Sequence, residues 1–383
     1  MKTDKNARII LYLTTLFFWF SQSSYLPYIS PSLAALGASA TMMGLVGGAY
    51  GFTQMVCRIP LGYLADRYSL HRKAIVAGTV LSCASGLGIF ITFTPAGFLI
   101  FRATAGLASA TWICFSVSYS KLYPKEQSAS AMSVIMSASH IGKLTGLILV
   151  GSLAGRTQNV FLIAAAGGVT AVLLSAFIKR PPESPPSFTA KELWGVAKNK
   201  TLLKFSCAAL LLHFITFSTT YQFTPIILLG FGADDFTLAA ANIVTLIFLV
   251  LSTISAGKFL IKKFGEKRLL LFGFGCLAVY AFGAGFAKNI AQMYVLQAVA
   301  GLGEGFGAPI LTGLCFKDIT PEKRSAAMGI FAAVYGFGMT FGPIFTGRAV
   351  DIKGMTAAYC MIGAVAAAAF IWISRFKVAR AAD

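Results

Sequence analysis

The chain has 383 residues, of which 57% are hydrophobic and 12% charged, with a mean hydropathy of +0.75. Soluble domains carry about 25% charged residues, so this composition excludes an ordinary soluble domain, a disordered chain and a disulfide scaffold; an integral membrane protein remains. The formal charge of +19 lies mainly in short loops between apolar segments, which signals membrane orientation rather than nucleic-acid binding.

Apolar spans of about 20 residues are predicted at 9–30, 41–64, 74–94, 97–119, 129–152 and 160–178. A second set follows at 202–229, 237–261, 269–287, 291–314, 325–347 and 356–374. All are expected to be helices, because unpaired backbone groups are too costly in lipid for open sheets. Lys2, Lys5 and Arg8 precede the first span as in a signal peptide, and Ala38-Ser39-Ala40 resembles a cleavage site. The run from Ile9 to Ile29 is too long for a signal h-region, so an uncleaved first helix is expected.

The first span carries Ser21-Gln22-Ser23-Ser24-Tyr25 before Pro27. The second holds Arg58 just ahead of Ile59-Pro60 and Gly62, the fourth holds Arg102, and the fifth holds His140 and Lys143 on one helical face. The segment 179–204 opens with Lys179-Arg180-Pro181-Pro182-Glu183-Ser184-Pro185-Pro186, a stiff polar linker. Its continuation, 189–198, reads as a short amphipathic helix on the inner leaflet, anchored by Trp194. The seventh span holds His213 and Ser218-Thr219-Thr220-Tyr221-Gln222 before Pro225. The tenth holds Glu304 within Gly301-Leu302-Gly303-Glu304-Gly305-Phe306-Gly307. Cys57, Cys83, Cys114, Cys207, Cys276, Cys315 and Cys360 all fall in apolar segments and read as small buried hydrophobes.

With twelve spans and a cytoplasmic N-terminus, the inner segments hold 24 of the 32 Lys and Arg. The outer loops hold Arg156, Lys288, Arg348 and Lys353; Arg58, Arg102, Lys143 and Lys258 lie within spans. Both termini are therefore expected in the cytoplasm. The halves also echo each other: Tyr123-Pro124-Lys125-Glu126-Gln127-Ser128-Ala129 parallels Thr320-Pro321-Glu322-Lys323-Arg324-Ser325-Ala326. Gly142-x-x-x-Gly146 parallels Gly338-x-x-x-Gly342, and Phe20-Ser21 with Pro27 parallels Phe217-Ser218 with Pro225. Duplicated six-helix halves around a midplane site are the plan of many secondary transporters. The expected fold is all-α, with twelve transmembrane helices in two pseudo-symmetric six-helix bundles: 1–178, the linker 179–204, and 205–383.

Gly62-Tyr63-Leu64-Ala65-Asp66-Arg67-Tyr68-Ser69-Leu70-His71-Arg72-Lys73 resembles the signature loop of the major facilitator superfamily, Gly-x-Leu-Ala-Asp-Arg-x-Gly-Arg-Arg-Lys. It departs at Ser69 and Leu70, and the second copy, from Gly257 to Arg268, lacks the aspartate. The resemblance implies two bundles rocking around a central site, with Gly62, Asp66 and Arg67 in a latch between them; a solvated basic turn is the plainer reading. Arg102-Ala-Thr-Ala-Gly106 resembles the family's fourth-helix motif, whose arginine is associated with proton transfer in proton-coupled members. Gly338-Met-Thr-Phe-Gly342-Pro343 looks like a Gly-Pro kink that serves gating. In the fifth span the antiporter form of that kink is absent, since Gly146 is followed by Leu147.

Charges inside a membrane are expensive and need a partner, water or a function. Glu304, the one acid within a predicted span, is the proton-coupling candidate together with Arg102; a static pair with Lys143 or Arg102 is the alternative. Arg58, Lys143, His140, His213, Gln22, Tyr25, Tyr221 and Gln222 are the solute-binding candidates. Each has a structural alternative: Arg58 in gating, Lys143 in an ion pair, the histidines in packing, and the others in capping broken helices. The sequence has no Walker loop, HExxH, GxSxG or metal-ligand cluster, so neither an enzyme, a cofactor nor a metal is expected. The expectation is a monomeric secondary transporter in a cell membrane, bacterial inner membrane by its compact loops, that exports a small anionic or zwitterionic organic solute coupled to protons. Uptake or exchange of a small anion of the nitrate, cyanate or carboxylate type is the alternative, and a non-transporting membrane sensor is the remote one.

Overall fold

A computed structural model describes residues 5–124, 127–153, 158–179, 195–317, 319–320 and 323–376. Residues 180–194, which hold most of the Pro-rich linker and the start of the proposed amphipathic stretch with Trp194, lie outside the described residues, as does Arg156; farther along that stretch, Val196 is buried in the second half's core. In the first half the helices are α1 (Lys5–Ser23), α2 (Ile29–Ala35), α3 (Ala40–Arg67), α4 (His71–Thr92), α5 (Pro95–Ala110), α6 (Trp112–Ser120), α7 (Ser128–Leu153) and α8 (Asn159–Ala176). In the second half they are α9 (Lys200–Ser218), α10 (Thr224–Gly230), α11 (Asp235–Ser255), α12 (Ile261–Phe264), α13 (Glu266–Gly285), α14 (Ile290–Cys315) and α15 (Arg324–Ser374).

Local chemistry sets many of these boundaries. Ser39, Thr94, Asn199, Asp234 and Asn289 each accept a hydrogen bond from a first-turn N–H of the helix they precede, satisfying an otherwise orphaned donor. Pro27 sits in a 3₁₀ turn, Leu26–Tyr28, that separates α1 from α2. Pro225 follows a π-helical turn, Thr219–Phe223, between α9 and α10. Proline removes one backbone donor and clashes with the preceding turn, so the matching prolines of the two halves disrupt the first and seventh spans at corresponding places.

Ten helical stretches are long and apolar enough to cross a membrane among the described residues. The last of them, Ala326–Ser374, holds two crossings, because Gly354 turns the chain at φ 81° and ψ 169°, a conformation that glycine adopts without steric cost. Helix α3 contributes another crossing: its 28 residues span about 42 Å at 1.5 Å per residue, more than the roughly 30 Å hydrocarbon core. The twelve-helix arrangement follows.

The two bundles pack internally through α1 with α7 and α8, α3 with α5, α4 with α5 and α8, then α9 with α14 and α15, α11 with α14, and α13 with α14 and α15. Contacts between bundles run along α3 with α15, α7 with α11, and α2 with α10. The apolar cores reveal an asymmetry between the two ends. At the end carrying the turns at 36–39 and 231–234, one core draws on both halves, joining Tyr28, Leu33, Met43 and Val46 to Phe223, Leu228, Leu238 and Tyr359. At the end carrying the turns at 68–70 and 265, the buried cores are separate: Leu11, Phe18, Ile75, Phe115 and Ile135 in one half, Leu202, Leu212, Phe274, Leu314 and Phe331 in the other. The halves are thus fused at the first end and packed as two bodies at the second.

Candidate functional site

A cavity of about 370 Å³ lies between the bundles, within the usual range of small-molecule sites. Its wall includes Gln22, Arg58, Arg102, His140, Lys143, His213, Tyr221, Gln222 and Glu304. The structure therefore brings nine sequence candidates to one site. Tyr25 is the exception: it is fully buried behind the wall. There it packs on Phe161, hydrogen-bonds with Ser85 at 3.0 Å and accepts from Arg102 at 3.4 Å. It touches an arginine of the wall and does not itself line the cavity.

Glu304 lies on α14, flanked by glycines that admit neighbours closely. An added Cβ at Gly301 or Gly305 would collide with the backbone of α11. The carboxylate accepts a hydrogen bond from Tyr221 Oη at 2.9 Å. No salt bridge joins it to Lys143, Arg58 or Arg102; among the described residues the ion pair recorded within 4.0 Å is Asp66 with His71, at 2.9 Å. The static pairing considered from the sequence is therefore not the arrangement seen. Lys143, on the other half, lines the same cavity without forming a salt bridge to Glu304.

The three cations of the wall rest on aromatic rings. The Arg102 guanidinium lies 4.4 Å from the Tyr50 centroid, Lys143 Nζ lies 4.4 Å from the Trp19 ring, and Arg58 lies 5.9 Å from Tyr335 while donating to its hydroxyl. A cation–π contact contributes about 0.5–2 kcal/mol, whereas a charge at the bilayer centre costs roughly 2.5–3.5 kcal/mol by insertion scales. The rings hold the cations in place and offset only part of that cost.

The histidines are tied to their own helices: His140 Nδ1 lies 2.9 Å from the Met136 carbonyl and His213 Nδ1 2.8 Å from the Ala209 carbonyl. A carbonyl partner makes Nδ1 the protonated nitrogen. His213 also stacks on Tyr335, centroids 4.4 Å apart. Gln22 donates to the Ala105 carbonyl at 3.2 Å and leaves its Oε1 unpartnered. Gln222 donates to Ser30 Oγ at 2.9 Å and to the Met43 carbonyl at 2.6 Å, so it ties α9's extension to the first half.

The gating candidates fall at both ends. Asp66 pairs with His71 and Arg67 donates to Tyr63 at 2.6 Å; Tyr63 in turn packs against the second half's core. Gly62 faces Ile113. Gly338 and Gly342 admit the α9 backbone at Leu210 and Phe214, and α15 continues as helix through Pro343. Pro343 instead contacts α3, where its carbonyl occupies the space a Cβ on Gly44 would need.

Trp19, Tyr50, Trp112 and Tyr335 also line the cavity and were missed by sequence reasoning. In a chain with 33 Phe and 13 Tyr, nothing local distinguishes a cavity-facing ring. Two of them carry a sequence signal, helical spacing from a site candidate: Trp19 lies one turn before Gln22, and Tyr50 two turns before Arg58.

Residues 11–288 and 251–382 match the family model of the Major Facilitator Superfamily. An uncharacterized MFS-type transporter of Methanocaldococcus jannaschii is 25% identical over 382 residues, covering 94% of each chain. Another from Mycobacterium tuberculosis is 22% identical, covering 90% of this chain and 87% of its own. Among solved structures, nucleoside transporter NupG superposes with a TM-score of 0.79 at 16% identity, covering 97% of this chain and all of that one. A bacterial homolog of the human lysosomal transporter Spinster gives 0.76 at 15% identity, covering 98% and 95%. At these identities the structural likeness speaks to the fold.

Proposed function

The chain belongs to the major facilitator superfamily, and from that premise we propose that it moves a small anionic or zwitterionic organic solute by alternating access, coupled to protons through Glu304. The observation that carries this reading is the Tyr221–Glu304 pair on one half facing Lys143 on the other across the cavity. A carboxylate held by a neutral phenol has no fixed countercharge. When the halves rock, its distance to Lys143 changes, and with it the balance between the charged and protonated forms. Arg102 lies on the same wall and completes the proton route in this reading.

The excess of basic residues in inner segments supports a reading with both termini in the cytoplasm at a cell membrane. In that orientation the fused end with the 36–39 turn is outside, and the end with Asp66 and Arg67 is inside. The structure then represents a state closed to the exterior, and the latch at Gly62, Asp66 and Arg67 would act in the opposite state. The units 1–178 and 205–383 are the moving bodies, and the monomer suffices for the cycle. Export is assigned by analogy at the family level alone. The three basic residues of the wall against one acid favour, as a second reading, uptake or exchange of a small anion such as nitrate, cyanate or a carboxylate.

The test is proton movement in proteoliposomes across a solute panel, with wild type and Glu304→Gln compared. Solute-driven proton flux in wild type, with binding but no coupling in the variant, supports the proposal. Solute flux without proton flux in both proteins removes proton coupling and leaves the anion exchanger.

A further inference from the structure

The cavity wall is one-sided in two independent respects. The first is charge. Arg58, Arg102 and Lys143 stand against Glu304 alone among the described lining residues, and none of the three is salt-bridged to it. Phenol, indole and ring faces orient these cations but neutralise nothing. With Glu304 ionised and both imidazoles neutral the wall carries two uncompensated positive charges. Protonating Glu304 raises that number.

The second is hydrogen-bonding capacity. Arg58 Nε, Arg102 Nε and Trp19 Nε1 are buried donors without a partner, while Gln22 Oε1 is the unpartnered acceptor among the lining side chains. Arg102 is only 4% exposed and its Nε is still unmatched. Buried polar groups left unpaired are costly, so a small shift of these side chains that brings the donors onto an occupant favours one rich in acceptors.

The cations form two stations. Arg58 and Arg102 border one small cluster: Arg102 lies over Tyr50, a member of it, and Arg58 over Tyr335, which packs against it. Lys143 stands apart on Trp19, whose ring meets Trp112 edge-on at 5.5 Å. A planar guanidinium with a free edge suits a carboxylate or phosphate, and an ammonium suits a second anionic group. We propose that the solute is an organic dianion, one anionic group held by Arg58 and Arg102 and the other by Lys143. This rests on the carrier reading above and narrows it. A zwitterion would put a further ammonium into a wall already in cationic excess, and a monoanion would leave one cation unmatched.

The experiment is a binding series in nanodiscs, read by tryptophan fluorescence, with probes that differ in charge on one skeleton. The aliphatic set is glutarate, butyrate and aminobutyrate; the aromatic set is isophthalate, benzoate and aminomethylbenzoate. The expected result is that, in at least one set, the dianion binds tenfold or more tightly than the monoanion and the zwitterion. Arg58→Gln and Lys143→Gln should each shrink that ratio about tenfold, and Arg58→Lys should restore part of it, with melting temperatures reported for every variant. Equal or tighter binding of the zwitterion or monoanion overturns the proposal. So does an unchanged ratio in a folded Gln variant, or absence of dianion binding in both sets. Counterflow in proteoliposomes separates the two readings. Counterflow of a zwitterion that outcompetes the dianions keeps the carrier and removes the dianion. Tight dianion binding without counterflow keeps the site and removes the carrier.

Discussion

Asp351 holds the first turn of α3 from across the bundle interface, accepting hydrogen bonds from Ala40 N at 3.0 Å, Thr41 N at 2.8 Å and the Thr41 hydroxyl. Carboxylates are favourable at helix N-termini because they satisfy orphaned N–H groups and meet the positive end of the helix dipole. This contact joins the end of the eleventh span to the start of the second, at the end where the apolar cores are fused. Tyr28 adds a second tie by donating to the Asp235 carbonyl at 2.8 Å. Asp351→Ala should weaken the closed end by about 0.5–2 kcal/mol, the range for losing a helix cap to alanine, a shift of roughly 2- to 30-fold in favour of the open form. Spin labels at Ala35 and Leu229 would read it as a longer distance population. An unchanged distribution would mean the contact follows closure rather than stabilising it.

The pH dependence of this tie has a definite sign. The Thr41 hydroxyl, followed by the backbone donors of Thr41 and Ala40, holds the Asp351 carboxyl below its ordinary value of 3.8. Asp351 lies in the turn after the eleventh span, with Arg348 adding in the same direction. For a depressed carboxyl the stabilisation is fully present above the ordinary value and disappears as pH falls through the lower, closed-state value. The label distances should therefore be constant from about pH 5 to 8 as far as this group is concerned and lengthen only below about pH 4. In Asp351→Asn that acid transition should be missing; a transition of equal size in both proteins would assign it to another group.

Close approach of α3 and α15 depends on glycines. A Cβ on Gly44 would meet the Pro343 carbonyl, and one on Gly48 the Thr340 carbonyl. Small residues at a membrane interface let backbones touch. Gly44→Val should disfavour the closed form by about 1–3 kcal/mol, the usual cost of overpacking, seen as a loss of the short label distance. Gly257→Ala, where nothing lies within 4 Å of the added atom, should leave the distance distribution as in the wild type.

Physical rules of different reach explain what was legible beforehand. Hydropathy and the cost of lone backbone groups in lipid are local, so the spans, the paired prolines and the halves emerged from composition and repetition. Glu304, Lys143 and Arg102 stood out because a charge in an apolar run demands an explanation. The ties at 36–39 did not, because Thr41 and Asp351 are 310 positions apart and neither is unusual where it stands. Tyr25 was legible as important but not in its place. A polar residue beside a proline signals a broken helix, not which side of the wall its ring occupies.

Tyr25 supplies the last test, because its hydroxyl is the joint between Ser85 and Arg102. Ser85 itself donates to the Phe101 carbonyl at 2.9 Å, so the chain runs from α4 to the cavity arginine through one phenol. Tyr25→Phe keeps the packing on Phe161 and removes only that joint. A neutral hydrogen bond contributes about 0.5–1.5 kcal/mol, so the solute's apparent affinity should fall about 2- to 12-fold in a protein of nearly unchanged melting temperature. The loss should be absent when the same substitution is made on Arg102→Gln, since the positioned group is already gone. Additive losses in the double variant would show instead that Tyr25 acts on the solute by a route that does not pass through Arg102.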